Sequence, residues 1–330
     1  MPDRLEQIAA ADIGRVQFDE SLAPHTSWRI GGPADLFVEP ETFSQVSDVM
    51  RLTRQFAVPL VIIGQGTNVL IDDAGVRGVV MKIGSRLAHL RIEGSRIIVG
   101  GGVWVPRLAR LAMRAGLAGL EHCIGIPGTV GGLIMMNGGS HRRGIGEQVR
   151  RVTIVDEAGE VRVLTRDQCR FSYRHSALQE KTCVVVEAEL HCPEGVGRKV
   201  RMEMLQDLRT RRSKFPRKQP NCGSVFLSTD EMHATVGPPG KIIEQAGLKG
   251  LRCGQAEVSQ QHANFIVNLG GATSANILEL IARIRTVVRN QLDFDLCCEV
   301  RYVSADGSIV PAHLAADRLY PSVKETADEP

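Results

Sequence analysis

The chain has 330 residues, of which 43% are hydrophobic and 23% are charged. This balance is typical of a globular protein and excludes an intrinsically disordered chain, which would have few apolar residues and a large net charge. The formal net charge of +3 is too small to create a field that selects nucleic acid or a membrane surface. At roughly 150 residues per domain, the length predicts about two domains.

Targeting segments and metal sites are not expected. The N-terminal residues lack a basic stretch followed by an apolar run, and no apolar stretch reaches the roughly 18 residues of a membrane span. The eight cysteines are scattered without a C-x-x-C pair, and the histidines show no metal-ligand spacing. We therefore expect a cytoplasmic protein with reduced thiols, without a disulfide framework and without a bound metal.

The first part of the chain alternates short strands and helices. Apolar residues at helical spacing predict a helix that ends before Pro59, and Gly116 is placed to end a second one. The predicted elements are a short helix and lead-in at 1–20, a helix at 44–57, strands at 59–64 and 78–83 around a turn-rich loop at 64–75, a strand at 96–106 and a helix at 107–115.

The second part interleaves the elements irregularly. A basic helix is predicted with Met202, Leu205 and Leu208 facing inward, and Thr273 or Ser274 can cap an amphipathic helix. The predicted elements are a glycine-rich segment at 123–140, a hairpin at 152–165, a strand at 183–190, the basic helix at 199–213, a strand at 262–268, the amphipathic helix at 275–289 and a strand at 296–303. Residues after about 304 show no clear pattern. The irregular order favours an α+β fold over a doubly wound sheet.

Two glycine-rich segments, 64–68 and 125–132, stand near predicted strand ends. Glycine lets backbone amide groups converge on a phosphate without a Cβ in the way. Neither segment is the G-x-G-x-x-G that opens a helix in a Rossmann fold, and the chain contains no P-loop motif. Either segment alone can be a structural turn. The two together, with Asn68, Thr129 and Asn137 as side-chain donors, indicate a large phosphate-bearing cofactor.

The stretch 198–218 contains nine basic and two acidic residues. Such a stretch can bind a nucleic acid, but Phe215 is its one aromatic residue, so stacking on bases is poorly supported. A nucleotide-sugar diphosphate needs a small cationic patch. A solvated helix face is the alternative for most of these residues.

Seven motifs occur in a fixed order: HTSWRIGGPADLFVEP, VIIGQGTNVLIDDAGVRGVVM, GIPGTVGGLIMMNGG, FSYRHS, CGSVF, AGLKGLRCGQAEVSQQHANFIVN and LCCEVR. With this ordered set the chain resembles the UDP-N-acetylenolpyruvoylglucosamine reductases (the MurB family), flavoenzymes of peptidoglycan precursor synthesis. The resemblance covers roughly residues 20 to 304. It is strongest to the shorter subtype, which lacks an extra tyrosine-bearing loop.

The resemblance implies an α+β fold. Two subdomains of the vanillyl-alcohol-oxidase type would hold FAD, and a C-terminal α+β domain would bind the substrate. The implied boundaries are 1–20 for the lead-in, 21–84 and 85–195 for the two FAD-binding subdomains, 196–304 for the substrate-binding domain and 305–330 for a tail. The implied reaction is the NADPH-dependent reduction of the enolpyruvyl ether of UDP-N-acetylglucosamine to a lactyl ether, which serves cell wall biogenesis, cell shape and cell division. A nucleic-acid, membrane or obligate protein partner is not expected.

The resemblance also assigns three catalytic residues. Arg174 in FSYRHS would bind the substrate carboxylate through its planar guanidinium. Ser224 in CGSVF would donate the proton, and Glu299 in LCCEVR would stabilise the charge that develops. On sequence alone, the alternatives are a solvated arginine, a turn serine and a glutamate in a salt bridge. If 296–303 is a strand, Glu299 and Arg301 share one face.

The resemblance further implies residues that bind the cofactor and the substrate. The implied cofactor-binding residues are Gly64, Gln65, Gly66, Thr67, Asn68, Val69, Ile126, Pro127, Gly128, Thr129, Gly131, Gly132 and Asn137. The implied substrate-binding residues are Arg212, Ser228, His262 and Arg301.

The chain departs from the family pattern in two places. Leu227 and Ser228 stand where the family has a lysine and an asparagine after the serine motif, and the segment 141–143 reads His-Arg-Arg near the expected cofactor. These departures leave open a related FAD-dependent reductase that acts on a different sugar nucleotide. A binding protein without turnover, using 198–218, is a third hypothesis.

Overall fold

The computed structural model describes residues 2–321, which form two compact units. The first unit comprises the chain up to Glu20, Ala34–Gln65 and Arg77–Ser213, and the second comprises Ser21–Pro33, Gly66–Val76 and the described chain from Lys214. Each unit therefore combines stretches that are distant in sequence. The boundaries expected from sequence at 84, 195 and 304 remain predictions, and part of the expected tail, 322–330, lies outside the described residues.

Helices and strands are mixed in both units. The helices are α1 (Pro2–Ala9), α2 (Phe43–Gln55), α3 (Val105–Arg114), α4 (Val130–Met135), α5 (Gly197–Lys214), α6 (Asp230–Ala234), α7 (Pro239–Gln245), α8 (Ser274–Leu292) and α9 (Ala312–Leu319). The strands are β1 (Arg15–Ser21), β2 (Pro33–Glu39), β3 (Leu60–Ile63), β4 (Val69–Ile71), β5 (Val76–Lys82), β6 (Leu90–Glu93), β7 (Arg96–Gly100), β8 (Val149–Asp156), β9 (Val161–Thr165), β10 (Cys183–His191), β11 (Arg252–Cys253), β12 (Ala256–Val258), β13 (Ile266–Asn268), β14 (Arg301–Val303) and β15 (Ile309–Pro311).

The first unit contains two sheets, with strand orders β1-β2-β5-β3 and β6-β7-β10-β8-β9. Strand β10 contributes side chains to two apolar clusters. Its apolar run is continuous because both faces are buried. Val184 and Val186 pack into one apolar cluster with helix α2, whereas Cys183 and Val185 pack into another with helix α3.

The second unit contains two three-stranded sheets, β11-β12-β13 and β15-β14-β4, which share one apolar core with helix α8. Thr273 caps α8, as expected, by accepting from the backbone nitrogen of Asn276. Asp73 also binds this helix end: its carboxylate accepts from the nitrogen of Ser274 at 2.9 Å and from its hydroxyl at 2.8 Å. A carboxylate at a helix N-terminus satisfies free amide groups and interacts favourably with the helix dipole.

Most predicted elements are present, but the inward face of the basic helix was predicted correctly only at Leu208, which is half-buried against the apolar core. Helix α5 buries Val200, Met204 and Asp207, whereas Met202 and Leu205 are exposed. The predicted and the observed buried residues both have helical spacing, so periodicity alone does not show which face of the helix is buried. Asp207 is buried, and Nε2 of His141 donates to its Oδ1 at 2.8 Å, which provides a polar partner for one oxygen of this carboxylate.

Five further predictions of local structure need correction. The strand predicted at 96–106 ends at Gly100, and helix α3 begins at Val105. The loop predicted at 64–75 contains strand β4, which pairs in parallel with β14. The strands predicted at 262–268 and 296–303 are shorter, at β13 and β14, because each begins with a bent segment. The chain after 304, which showed no pattern, forms β15 and α9.

The eight cysteines are all free. Cys297 is exposed, Cys253 is half-buried and the others are buried. Among residues 2–321, no helix is long and apolar enough to cross a membrane. The same residues contain no group of three or more His, Cys, Asp or Glu side chains that could hold a metal ion.

Candidate active site

Ser224 and Glu299 belong to two neighbouring extended segments of the second unit. The segments pair in an antiparallel bridge between Phe226 and Cys298. On one side of this bridge the nitrogen of Glu299 donates to the carbonyl oxygen of Val225 at 2.9 Å. The backbone thus holds the serine motif against the glutamate motif.

Asn264 supports the serine segment from its other side. The nitrogen of Val225 donates to the Asn264 carbonyl oxygen at 2.9 Å, and the Asn264 side chain bonds both the nitrogen and the oxygen of Phe226, at 2.9 and 3.0 Å. Asn264 is buried, so this amide replaces strand partners that the segment would otherwise lack. Spacing and motifs did not single out Asn264, although a polar side chain inside the apolar HANFIVN motif was a usable signal.

Asn68 supports the backbone on which Glu299 lies. Its side-chain nitrogen donates to the carbonyl oxygen of Glu299 at 3.3 Å, and its own carbonyl oxygen accepts from the nitrogen of Arg301 at 3.1 Å. The next residue, Val69, is in register with Arg301 in the β4–β14 pair. A residue expected to bind cofactor therefore also positions the predicted glutamate.

Arg174 lies in the first unit, in a tight turn. Ser172 and His175 close this turn with two backbone hydrogen bonds of 3.0 and 3.1 Å. Arg174 has a φ of +54°, a left-handed conformation that is strained for a residue with a side chain. Its Nη1 donates to the carbonyl oxygen of Gly139 at 3.2 Å. A strained arginine held by its surroundings is an indication of function.

The turn around Arg174 is fixed to the end of helix α4. The side-chain nitrogen of Gln179 donates both to the carbonyl oxygen of Met135, at 3.0 Å, and to that of Arg174, at 3.2 Å. The hydroxyl of Ser176 donates to the same Met135 oxygen at 2.6 Å. Arg174 is therefore attached to the segment 123–140, which contains α4.

Within the first unit, Gly64 of the first glycine segment lies against Thr129 of the second. A Cβ atom on Gly64 would lie 2.4 Å from Oγ1 of Thr129, so only glycine fits there. Thr129 caps α4 by accepting from the nitrogen of Gly132. Gly131 is needed for packing, because its nitrogen donates to the carbonyl oxygen of Gly101 at 2.8 Å and a Cβ there would crowd that backbone.

Arg211 on helix α5 lies directly over Gly125. A Cβ atom on Gly125 would lie 2.2 Å from Cδ and 2.5 Å from Nε of Arg211. Arg212, the substrate-binding residue that the resemblance implied, is exposed, whereas Arg211 is half-buried. A basic side chain at this glycine segment can neutralise an anion there. Within a stretch so rich in arginine, the sequence alone could not distinguish the two neighbours.

Comparisons with known proteins identify the family. The family model for the C-terminal domain of UDP-N-acetylenolpyruvoylglucosamine reductase matches residues 215–303, and a model for an FAD-binding domain matches residues 34–165. UDP-N-acetylenolpyruvoylglucosamine reductase 1 of Corynebacterium glutamicum is 44% identical over 94% of this chain and 92% of its own. The reductase of Bacillus subtilis is 38% identical over 92% of this chain and 98% of its own.

The crystal structure of the reductase of Thermus caldophilus has a TM-score of 0.75 to this chain at 30% identity, covering 87% of this chain and 98% of that one. This chain belongs to the UDP-N-acetylenolpyruvoylglucosamine reductase family. The expected fold class, an α+β FAD-binding part followed by the C-terminal domain of this reductase family, is confirmed. The expected FAD-containing oxidoreductase is confirmed as well, and FAD and NADPH are the cofactors that the family implies.

The first unit of this family member fits a phosphate-bearing cofactor. Gly64 presents backbone where a Cβ would be excluded, and Gly132 is exposed with little near its Cβ position beyond Thr129. Arg211 supplies positive charge at Gly125. Backbone without side chains beside a guanidinium is suited to a diphosphate.

Several other predicted binding residues use their side chains within the protein. The amide of Asn137 donates to the carbonyl oxygen of Ser172 at 2.7 Å and accepts from the nitrogen of Gly146 at 2.9 Å. Ser228 forms a hydrogen bond of 2.9 Å with His233. The roles proposed for Asn137 and Ser228 stay predictions.

His262 belongs to an aromatic cluster. Its ring lies edge-on to Phe215 and Phe265, with centroids 5.3 and 5.0 Å apart, and its Nδ1 accepts from the nitrogen of Asn264 at 3.2 Å. Burial, with a smaller contribution from Lys249, lowers the pKa of His262, which favours the neutral ring. In this cluster His262 supports Asn264, and any contact with substrate stays a prediction.

The remaining predicted residues lie in loops or at element ends. Gln65 and Pro127 are exposed, Gly66, Gly128 and Thr129 are buried, and Thr67, Val69, Ile126 and Arg301 are half-buried. Gly66 has a φ of +59°, and a Cβ there would lie 2.2 Å from the carbonyl oxygen of His25, so glycine is required by the turn itself. These positions are compatible with the predicted binding roles, which stay predictions.

Two histidines lie beside the segment 123–140. His122 is buried, and desolvation lowers its pKa to about 4. His141 pairs with Asp207 at 2.8 Å and has a left-handed φ of +55°. The pair connects this segment to helix α5, one turn before Arg211.

Proposed function

We propose that this protein is the NADPH-dependent reductase that converts the enolpyruvyl ether of UDP-N-acetylglucosamine to the lactyl ether, UDP-N-acetylmuramate, in peptidoglycan precursor synthesis. The names of its relatives carry the substrate class. When bound, FAD supplies the terminal alkene carbon of the substrate with a hydride taken from NADPH. A cytoplasmic location, suggested by the eight free thiols, and the absence of an obligate partner belong to the same proposal.

The protein must then manage the negative charge on the adjacent carbon and supply a proton to it. We assign the proton to the hydroxyl of Ser224 and the stabilisation of charge to Glu299. The pairing of their two backbone segments supports this assignment, because it fixes both residues on one rigid element. Arg174 would bind the substrate carboxylate, and the strain at its φ of +54° supports a functional role.

The single observation that carries the proposal is the antiparallel bridge that joins the CGSVF and LCCEVR motifs, which are about 70 residues apart in sequence. A solvated turn serine and an ordinary salt-bridge glutamate would not require this pairing or the support of Asn264 and Asn68.

The test uses the purified holoenzyme with the Ser224→Ala substitution. NADPH should bleach the flavin absorbance of the variant at the wild-type rate. Reoxidation by UDP-N-acetylglucosamine enolpyruvate should slow by at least ~10²–10³, the usual cost of losing one group that acts in the transition state. Ser304→Ala is the control, since Ser304 is a half-buried serine of the same unit that bonds within its own turn. Substrate reoxidation at the wild-type rate in Ser224→Ala would remove Ser224 from this role.

A related reductase for a different sugar nucleotide is the second candidate. It is favoured by Leu227 and Ser228, and by the bond that occupies the Ser228 hydroxyl with His233. If NADPH bleaches the flavin but the enolpyruvyl nucleotide does not restore its colour in the wild-type protein, the second candidate replaces the first.

A further inference from the structure

The second unit contains a cavity that none of the predicted site residues lines. Its volume is about 360 Å³, at the lower end of the roughly 300–1,000 Å³ of small-molecule sites. Its lining comes from three separate stretches of chain: Arg29, the segment 218–220 and the segment 268–271.

The charge of this cavity is positive. Arg29 and Lys218 line it, and no acidic residue does. Within residues 2–321, neither of these two side chains makes a hydrogen bond or an ion pair, unlike many other basic residues of the chain. Lys218 is the last residue of the basic stretch 198–218, and its charge is not used by the proposed reaction.

Asn268 makes the cavity a fixed structure. This buried side chain donates to the carbonyl oxygen of Trp28 at 2.9 Å and accepts from the nitrogens of Gly270 and Ala272, at 2.8 and 3.0 Å. Its own nitrogen donates to the carbonyl oxygen of Pro220 at 2.9 Å. One asparagine therefore ties all three lining stretches together.

The backbone around the cavity has conformations that leave its polar groups accessible. Arg29 has a φ of +58°, a left-handed conformation that is strained for a residue with a side chain. Gly270 and Gly271 also have positive φ values, and nothing lies within 4 Å of a Cβ built on either. Their backbone thus faces open space beside the two cations.

We propose that this cavity binds a phosphate or diphosphate group. Two cations without a neutralising carboxylate favour a multiply charged anion, and the guanidinium of Arg29 offers a planar fork to its oxygens. Such a site goes beyond the proposed reaction, because Arg174, Ser224 and Glu299 are not part of it and it does not depend on their roles.

The experiment is calorimetric titration of the holoenzyme with inorganic diphosphate. Arg29→Gly and Lys218→Gln should each weaken binding at least tenfold. Arg29→Gly also relieves the left-handed strain, so its Tm should equal or exceed that of the wild type, which separates lost binding from lost folding. Lys241→Gln, at an exposed lysine of α7 outside the cavity, is the matched control and should bind as the wild type does.

A second titration in saturating UDP-N-acetylglucosamine identifies the source of the anion. If the heat of inorganic diphosphate binding disappears, the cavity binds the diphosphate of a nucleotide sugar. If this heat persists, the cavity binds a free phosphate compound. Both results support the site. Absence of binding by the wild type, or equal binding by the wild type and the two cavity variants, would overturn it.

Discussion

The side-chain amide of Asn68 donates a hydrogen bond to the main-chain carbonyl oxygen of Glu299, over 3.3 Å. The two residues are 231 positions apart in sequence. Asn68 ends the first glycine segment, whereas Glu299 precedes strand β14. Because Arg301 returns a backbone bond to Asn68, the orientation of the glutamate depends on the conformation of this segment.

Replacing Asn68 with alanine should lower kcat roughly 3- to 10-fold, because one hydrogen bond contributes about 0.5–1.5 kcal/mol. Stopped-flow measurement of flavin reoxidation by the enolpyruvyl substrate would detect the loss. Asn276→Ala removes a comparable bond at the start of α8, in which the Asn276 side-chain oxygen accepts from the nitrogen of Thr273 at 3.2 Å, and should change stability without changing this rate. Equal effects of the two substitutions would show that Asn68 is merely structural.

Arg174→Gly should reduce activity at least ~10²-fold, the usual cost of losing a charge-stabilising donor, and should leave the protein nearly as stable. Glycine relieves about 1–2 kcal/mol of left-handed strain. The lost bond to Gly139 and the greater backbone freedom of glycine offset that gain. The measurements are steady-state kinetics and the free energy of unfolding in urea.

The matched control is Arg170→Gly, since Arg170 also has a positive φ, of +43°, and pairs at the surface with Glu180. It should gain or keep stability and retain activity. If both variants lose activity alike, the backbone rather than the guanidinium of Arg174 is responsible.

Gly64→Ala should lower the flavin content of the purified protein. The new Cβ would lie 2.4 Å from Oγ1 of buried Thr129, so the cap of helix α4 must move, at a cost of about 1–3 kcal/mol. The ratio of flavin to protein absorbance measures the effect. Gly84→Ala serves as control, because its Cβ would have no neighbour closer than 3.6 Å. A fully loaded Gly64→Ala protein would contradict a role for this contact in binding FAD.

Stability should fall on acidification because of His122. Burial lowers its folded pKa to about 4, from an ordinary value of 6.5. Between these values the unfolded chain binds a proton that the folded protein excludes, so stability is complete above pH 6.5 and decreases toward pH 4, by up to about 3 kcal/mol. Arg143 and His141 add to the lowering, whereas Glu147 and Asp207 oppose it.

Urea unfolding at several pH values between 4 and 7 tests this prediction. His122→Gln should flatten the dependence on pH, whereas His175→Gln, at a half-exposed histidine, should preserve it. An unchanged slope in His122→Gln would exclude His122 as its source.

Local patterns in the sequence predicted most of the fold. The apolar run of β10 and the caps of α8 are local features, so they were recognisable. The buried face of α5 was not, because it depends on the distant residue His141 as a partner for Asp207. Strand β4 was missed for a similar reason: three residues form a strand only because β14 pairs with them.

The candidate site shows the same division. Arg174, Ser224 and Glu299 lie within motifs that could be recognised in order. Asn264 and Arg211 act through the partners that they contact, which are far away in sequence, so spacing did not reveal them. Choosing between Arg211 and Arg212 required knowing the helix face that lies over Gly125.

Cys297 provides a single handle for chemical labelling. Burial raises the pKa of Cys123 and Cys192 to about 12 and that of Cys169 and Cys183 to about 11, which keeps these thiols in the unreactive protonated form. Cys297 is exposed, and its carbonyl oxygen accepts from the nitrogen of Leu227, beside the bridge that joins the serine and glutamate motifs. Cys253 is half-buried, and burial together with its hydrogen bond to Glu279 raises the pKa of this thiol as well. A maleimide dye should therefore react first at Cys297, and its emission would report ligand arrival there without any engineered cysteine.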